Sequence, residues 1–397
     1  MSLFPFGTFG VLNNFVYLHL NIHQQWIMEA GYRRYPIGIQ NFEDLRNNDC
    51  VYVDKTDLIY RLTHREFVCF LNRPDRFGKS LLISTVEAYF LGKKELFQGL
   101  AIERLEKEWV EHPVLCFDFT EKSFPNVDSL KAFIETKLFQ WEELYGKEKS
   151  IVPISTRLGS IIRCAYEKTG RKAVVLIDGY DSPYLHHKDL DVRMKFRNVL
   201  SEIFCPIKGC GKYLQFVLIT GVEKLILSML TGELNNLHNI SMRDEYSALC
   251  GITEHELLTQ LKPDIERMAE ANGETYEEAC AHLKKQYGGY HFSEKSKEIY
   301  SPFCLFNAFK AKEYKRFGTS AGTPTFLLEL LQENVRDLEG VEVSFDTPSS
   351  SIMDFVPMLY SYGYLTVKEY DPMFGMYKLG FPNDDVREGV QDWCELR

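Results

Sequence analysis

The chain has no run of about twenty apolar residues, no CxxC pair and no internal repeat, and each absence removes a class of protein. Without such a run no helix can span a bilayer, so no membrane association is expected. The opening 1–27 is apolar and aromatic, but Asn13, Asn14 and His19 interrupt it and no charge appears before Glu29. A secretory leader needs a basic start and a small-residue cleavage site, and neither is present. Met28 opens a segment (MEAGYRRYPIGIQ) that reads like a natural start, so 1–35 is expected to form an extension outside the fold. Ten cysteines are scattered along the chain, and the nearest pair is Cys205 and Cys210. That spacing suits neither a zinc site nor a disulfide framework, and a reducing, cytoplasmic location is expected. Positive charge is in deficit. Lys and Arg number 46 against 56 Asp and Glu, a net charge of −10, which argues against a general nucleic-acid-binding surface. At 45% hydrophobic and 26% charged residues the chain is not wholly disordered, and 397 residues make two or three domains at roughly 150 each.

Four short runs are nearly continuous in apolar residues: 67–72 (FVCFLN), 114–119 (VLCFDF), Ala173–Asp178 (AVVLID) and 214–220 (LQFVLIT). Such runs suit strands buried on both faces of a parallel sheet. A fifth, weaker strand is expected at 246–252 (YSALCGI). Amphipathic stretches at 80–91, 130–145, 156–169 and 192–204 alternate with the runs, which gives an α/β fold with crossovers. Beyond 252 the pattern changes. Thr253 and Glu256 have the spacing of a capping box, and 254–286 reads as helical up to Gly288-Gly289. From about 300, helices at 325–334 and 352–360 precede two strands, 363–370 and 376–381, around the turn 371–375. Helices followed by a hairpin suit a winged-helix-like module, as they suit any small α+β cap.

The sharpest local signal is Arg73-Pro74-Asp75-Arg76-Phe77-Gly78-Lys79-Ser80, between a strand run and a helical stretch. That is the context of a phosphate-binding loop (Walker A), in which backbone N–H groups cradle phosphates, a Lys reaches the β- and γ-phosphates and a Ser binds Mg²⁺. Arg73 stands where the full pattern has its first Gly, and an ordinary strand–turn–helix is the competing reading. Asp178, closing an apolar strand, is placed to hold Mg²⁺ together with Ser80. Thr220, at the end of the next strand, is placed to sense the γ-phosphate.

Taken in order, these motifs resemble those of the AAA-ATPase-like family of P-loop proteins, which is abundant in bacteria of anaerobic gut communities. The matching segments are Pro36-Ile37-Gly38-Ile39-Gln40 with Phe42, Tyr52-Val53-Asp54-Lys55-Thr56, Arg73-Pro74, Arg76 to Leu82, Leu176-Ile177-Asp178 with Tyr180-Asp181 and Pro183, and Thr220-Gly221-Val222. They continue with Leu234 to Leu237, Asn239-Ile240-Ser241, Cys250 to Thr253, Gly322 to Leu327 and Gly363 to Thr366. The resemblance implies an AAA-like core with a five-stranded parallel sheet at 36–252, a helical lid at 253–299 and a winged-helix-like module at 300–397. It implies ATP and Mg²⁺ as ligands, with Arg76, Phe77, Gly78, Lys79, Ser80 and Leu81 at the nucleotide, Ser80 and Asp178 at the metal, and Asp178, Asp181 and Thr220 in the chemistry. Many relatives continue into a PD-(D/E)XK nuclease-like domain, and none is expected in this chain.

Three positions depart from the family pattern. Gly179 stands where the family has a Glu that polarises the attacking water, so slow or impaired hydrolysis is expected, and restoring Glu there is expected to raise turnover. Asp75 stands where Arg is usual. A carboxylate about 6 Å from a phosphate charge at an effective dielectric near 20 costs on the order of 3 kcal/mol before screening. Gly288 replaces an Asp without a role assigned to it. Asp181 and Glu223 are candidates to replace the lost carboxylate, Arg76 and Arg243 to stabilise charge, and Phe42 and Tyr52 to line an adenine pocket. The competing functions are an active ATPase, a catalytically dead nucleotide-binding scaffold working through a protein partner or homo-oligomer, and a DNA-binding adaptor. The few basic residues of 354–378 make the adaptor the weakest of the three.

Overall fold

The computed structural model describes residues 33–147, 153–185, 187, 189–223, 237–319, 325–333, 338–345 and 355–395. Five parallel strands form the central sheet: β1 (Val68–Asn72), β2 (Val114–Asp118), β3 (Ala173–Asp178), β4 (Leu214–Gly221) and β5 (His238–Asn239). Their order is β2-β3-β4-β1-β5. Alternate residues point to opposite faces. Cys69, Leu71, Val174, Leu176, Phe216 and Leu218 face the helix Lys79–Phe90 within one core cluster. Phe70, Phe117, Val175, Ile177 and Ile219 face the helices Val127–Tyr145, Ile154–Thr169 and Leu190–Phe204 within the other. Both faces are covered, so β1, β3 and β4 carry almost no polar residue until their carboxyl ends.

The expected strand at 246–252 is not there. Asp244–Tyr246 is a 3₁₀ turn, and Ile252–Thr253 (β6) pairs antiparallel with Ile299–Tyr300 (β7) outside the main sheet. Tyr246, Leu249 and Cys250 are apolar because they are buried as a turn under the loop that follows β1. The fifth strand is β5, two polar-tipped residues that pair with β1 alone. An edge strand of that length needs no apolar run.

After β6 come the helices Glu254–Gln260, Lys262–Asn272 and Tyr276–Tyr287, the first and third opened by capping boxes at Thr253/Glu256 and Thr275/Glu278. Helix Pro302–Ala311 packs into the same apolar cluster through Leu305, Ala308 and Phe309. Arg33 and Tyr35, assigned by sequence to the extension, belong to this body. Tyr35 donates to Asp264 Oδ1 at 2.6 Å, and Arg33 pairs with the same carboxylate. Residues 1–32 of that extension lie outside the described residues. Beyond Pro302–Ala311 stand helix Thr325–Glu333, β8 (Val341–Val343), helix Phe355–Ser361, β9 (Thr366–Asp371), β10 (Met376–Gly380) and helix Asp384–Glu395, with an antiparallel sheet ordered β8-β10-β9. No disulfide joins cysteines among the described residues. No helix among the described residues is long and apolar enough to cross a membrane.

Gly251 joins the loop after β1 to β6. Its N–H donates to Phe77 O at 3.0 Å, its φ is +89°, and a Cβ there would meet Ile299 Cγ2 at 2.2 Å. Left-handed backbone costs an L-residue about 1–2 kcal/mol and overpacking a further 1–3 kcal/mol. Gly251→Ala is therefore expected to lower unfolding free energy by roughly 2–5 kcal/mol in urea titration, and an unchanged midpoint would contradict this packing.

Candidate functional site

β1 delivers the chain to a loop, 73–78, that turns into helix Lys79–Phe90. The turn needs left-handed backbone at Arg76 (φ +66°) and at Gly78 (φ +93°), the N-cap. Lys79 is buried at the helix start. Its ammonium donates to Arg73 O at 2.9 Å, Pro74 O at 3.0 Å and Asp75 Oδ1 at 3.0 Å. All three of its protons thus stay within the loop. Arg76 lies over the Phe303 ring at 4.4 Å. Phe77 is buried edge-on against Tyr290 and Phe292, at 4.8 and 5.5 Å. It anchors the loop to the segment after helix Tyr276–Tyr287. Leu81 and Gly78 border an apolar cavity that Tyr52, Val53, Cys250 and Ile252 also line. Phe42 is fully buried between Tyr52 and Phe97, so of that pair only Tyr52 reaches this cavity.

Asp178 and Thr220 come together at the carboxyl ends of β3 and β4. Thr220 Oγ1 donates to Asp178 Oδ1 at 2.7 Å. Burial raises the Asp178 pKa. Hydrogen bonds from Ser80 and Thr220 oppose the rise, and the neighbouring Asp118 carboxylate adds to it. Asp118 ends β2 and pairs in register with Asp178. Asp118 carries no sequence signal of its own, because it sits inside a run (VLCFDF) with the pattern of a plain strand. Ser80, Asp118 and Asp178 line one open, polar cavity together with Glu87 and Lys137.

Asp181 and Glu223 lie elsewhere. Asp181 Oδ2 accepts from the N–H groups of Val222 and Glu223 at 2.7 and 2.6 Å. Both Glu223 oxygens accept from Arg193 Nη2 at 2.8 Å, and Tyr180 Oη donates to Glu223 O at 2.5 Å. These contacts tie the turn after β3 to the turn after β4, and neither carboxylate lines the cavity that holds Ser80. Arg243 pairs with Glu66 at 2.8 Å, at the amino end of β1 and away from the loop.

The three departures have local causes. Gly179 has φ +59°, and a Cβ there would meet Thr120 Cγ2 at 2.5 Å and Ser182 Oγ at 2.7 Å. The expectation that Glu restores chemistry at 179 thus meets a backbone and a neighbour that resist any side chain. Asp75 turns its carboxylate to Lys79 while remaining largely exposed. A Cβ at Gly288 would meet Glu298 Oε1 at 2.9 Å, and Glu298 also takes the Gly289 N–H at 3.2 Å. A carboxylate already stands where an Asp side chain at 288 would begin.

A parallel sheet whose first strand turns through a tight loop into a covering helix, with Asn72, Asp118, Asp178 and Thr220 at or next to the carboxyl strand ends, defines an α/β protein with a P-loop-like core. A family model described as "Predicted AAA-ATPase" matches residues 36–231. A protein of Azotobacter chroococcum mcd 1, described as "Uncharacterized protein in vnfD 5'region", is 30% identical over 375 residues, covering 92% of this chain and 70% of that protein. The chain belongs to the AAA-ATPase-like family.

Burial pushes the Asp181 carboxyl up to about 7. Its unfolded value is about 3.9. Between these values the folded state holds a proton that the unfolded state has released, so stability falls as pH rises through that window, by at most about 1.4 kcal/mol per unit. Urea midpoints are expected to drop between pH 5 and pH 7.5, and Asp181→Asn should flatten the drop. A variant with the native slope would assign it to other groups, Glu223 first.

Proposed function

We propose that this chain binds Mg²⁺–ATP at the loop 73–78 and hydrolyses it slowly. One observation carries the reading: Lys79 and Ser80 open a helix at the end of β1, beside Asp178 and Thr220 on the same sheet face. Anions are stabilised at helix N-termini, and Lys79 adds a cation within a largely buried loop. Ser80 and Asp178 offer hard oxygen donors of the kind Mg²⁺ takes when phosphates supply most of its remaining shell. They would hold the ion, which would polarise the γ-phosphate. Thr220, bonded to Asp178, fixes that carboxylate and stands ready for the γ-phosphate. The apolar cavity beside Gly78 suits a purine ring. Impaired hydrolysis follows from Gly179, which presents no carboxylate to water.

The body divides, in this reading, into a core at 36–252, a helical lid at 253–299 and a C-terminal module at 300–397. The module is winged-helix-like, supported by the strand order β8-β10-β9 with helix Phe355–Ser361 ahead of the hairpin. The protein acts in the cytoplasm.

Calorimetric titration with Mg²⁺–ATP tests the site. Lys79→Ala is expected to weaken binding by two orders of magnitude or so, since a charge-assisted contact to phosphate is lost. Equal affinity in that variant would reject the assignment. Asp75→Asn should act in the opposite direction and tighten binding several-fold. The phosphate then no longer competes with a carboxylate for Lys79, and the gain stays modest because Asp75 is exposed to screening.

A further inference from the structure

Four carboxylates near the loop already have partners: Asp75 on Lys79, Asp178 on Thr220, Asp181 on two backbone amides and Glu223 on Arg193. Asp118 is differently placed. Paired residues on neighbouring parallel strands project from the same face, about 4.8 Å apart. Asp118 therefore stands beside Asp178 on the face covered by helix Lys79–Phe90, and both line the open cavity that also holds Ser80. Thr120 donates to Asp118 Oδ1 through its N–H at 2.8 Å and its hydroxyl at 2.6 Å. These bonds fix the carboxylate and leave Oδ2 without a protein partner among the described residues.

We propose that Asp118 is the catalytic carboxylate of hydrolysis, supplied by the strand next to β3 in place of a side chain at 179. The inference rests on the Mg²⁺–ATP reading. Asp118 accepts a hydrogen bond from the attacking water and takes its proton as the water oxygen bonds to the γ-phosphorus. The bond from that phosphorus to the β–γ bridging oxygen breaks, ADP leaves with the electron pair, and inorganic phosphate follows. Asp is one methylene shorter than Glu, and Asp118 approaches from a neighbouring strand, which fits slow rather than absent turnover. Glu87 shares the cavity but lies two turns along the helix from Ser80, roughly 10 Å away. Glu121 also lines the cavity, beyond the end of β2, and serves as the control.

The test measures Mg²⁺–ATP affinity by calorimetry and phosphate release in single turnover, for the full chain and for Asp118→Asn, Asp118→Glu and Glu121→Gln. Asp118→Asn should slow phosphate release by about 10²-fold or more. Affinity should stay within about threefold of native, because the water-holding group touches the nucleotide little in the ground state. Asp118→Glu should keep part of the rate, and Glu121→Gln should keep all of it. Thermal unfolding of each variant separates lost chemistry from lost folding. Native turnover in Asp118→Asn overturns the inference alone, as does a native chain that binds Mg²⁺–ATP and releases no phosphate. A native chain without affinity for Mg²⁺–ATP overturns the nucleotide reading itself.

Discussion

The guanidinium of Arg73 is fully buried and faces no carboxylate among the described residues. It donates to Asn72 O and Ser241 O at 2.8 Å, reaches Tyr246 O at 3.4 Å, and lies over the Phe292 ring at 4.3 Å. Taking an ion out of water costs several kcal/mol, and burial pulls this group's pKa down accordingly. Carbonyl dipoles and an aromatic face offset that cost only if four separate segments converge on the cation. Those segments are the end of β1, the residue pair after β5, the turn before β6 and the bend after helix Tyr276–Tyr287. Convergence aims the loop 73–78, and it allows β5 to be two residues long. Asn72 N–H also donates to Ser241 Oγ at 2.9 Å, so the chain after β5 is held by side chains where a longer ladder would otherwise be needed.

Residues written for local reasons were legible in the sequence, and residues written for distant reasons were not. β1, β3 and β4 announce themselves because both faces of the sheet are covered, and the capping box at Thr253 and Glu256 is a relation across three residues. Lys79, Ser80, Asp178 and Thr220 were found because each ends or begins an element whose apolar run stops there. β5 has no such signature: His238 and Asn239 are polar, and their place is set by Arg73 and Ser241. Asp118 was hidden by its own strand. Its alternation with Cys116 and Val114 is a pattern of period two, and only the register with β3 shows what it faces. The closed space at Gly179 depends on Thr120, some sixty residues earlier in the chain, so no local pattern carries it.

The carboxylates nearest Asp178 in sequence are the wrong ones in space for a simple reason. Asp178 shares a face with Val174 and Leu176, toward helix Lys79–Phe90, whereas Tyr180 and Val222 belong to the opposite core with Val175 and Ile177. Asp181 and Glu223 leave β3 and β4 with that second group. There they close the two turns onto each other, with Arg193 balancing the charge. Removing either partner of such a buried pair leaves an uncompensated charge worth about 3–5 kcal/mol. Their position is explained by holding the sheet's carboxyl edge together, and chemistry need not be invoked.

That edge is also where the C-terminal residues arrive. Gly363 packs so close to Pro74 that a Cβ there would come within 2.9 Å of its ring. Tyr362 feels the charges of Glu223, Asp181, Arg193 and Asp75. Pro74 meets Gly363 with its ring and accepts from Lys79 with its carbonyl at 3.0 Å, so one residue touches both the ammonium and the C-terminal segment. Coupling between sites is reciprocal in free energy. A ligand at the loop and a second ligand seated on 360–364 would each change the other's affinity by the same factor, bounded by the contacts exchanged. Asp75 is well exposed and its pair with Lys79 is screened, whereas Gly363 against Pro74 is a close packing contact. Salt therefore weakens the Asp75 contact, whereas the packing of Gly363 on Pro74 carries no charge to screen.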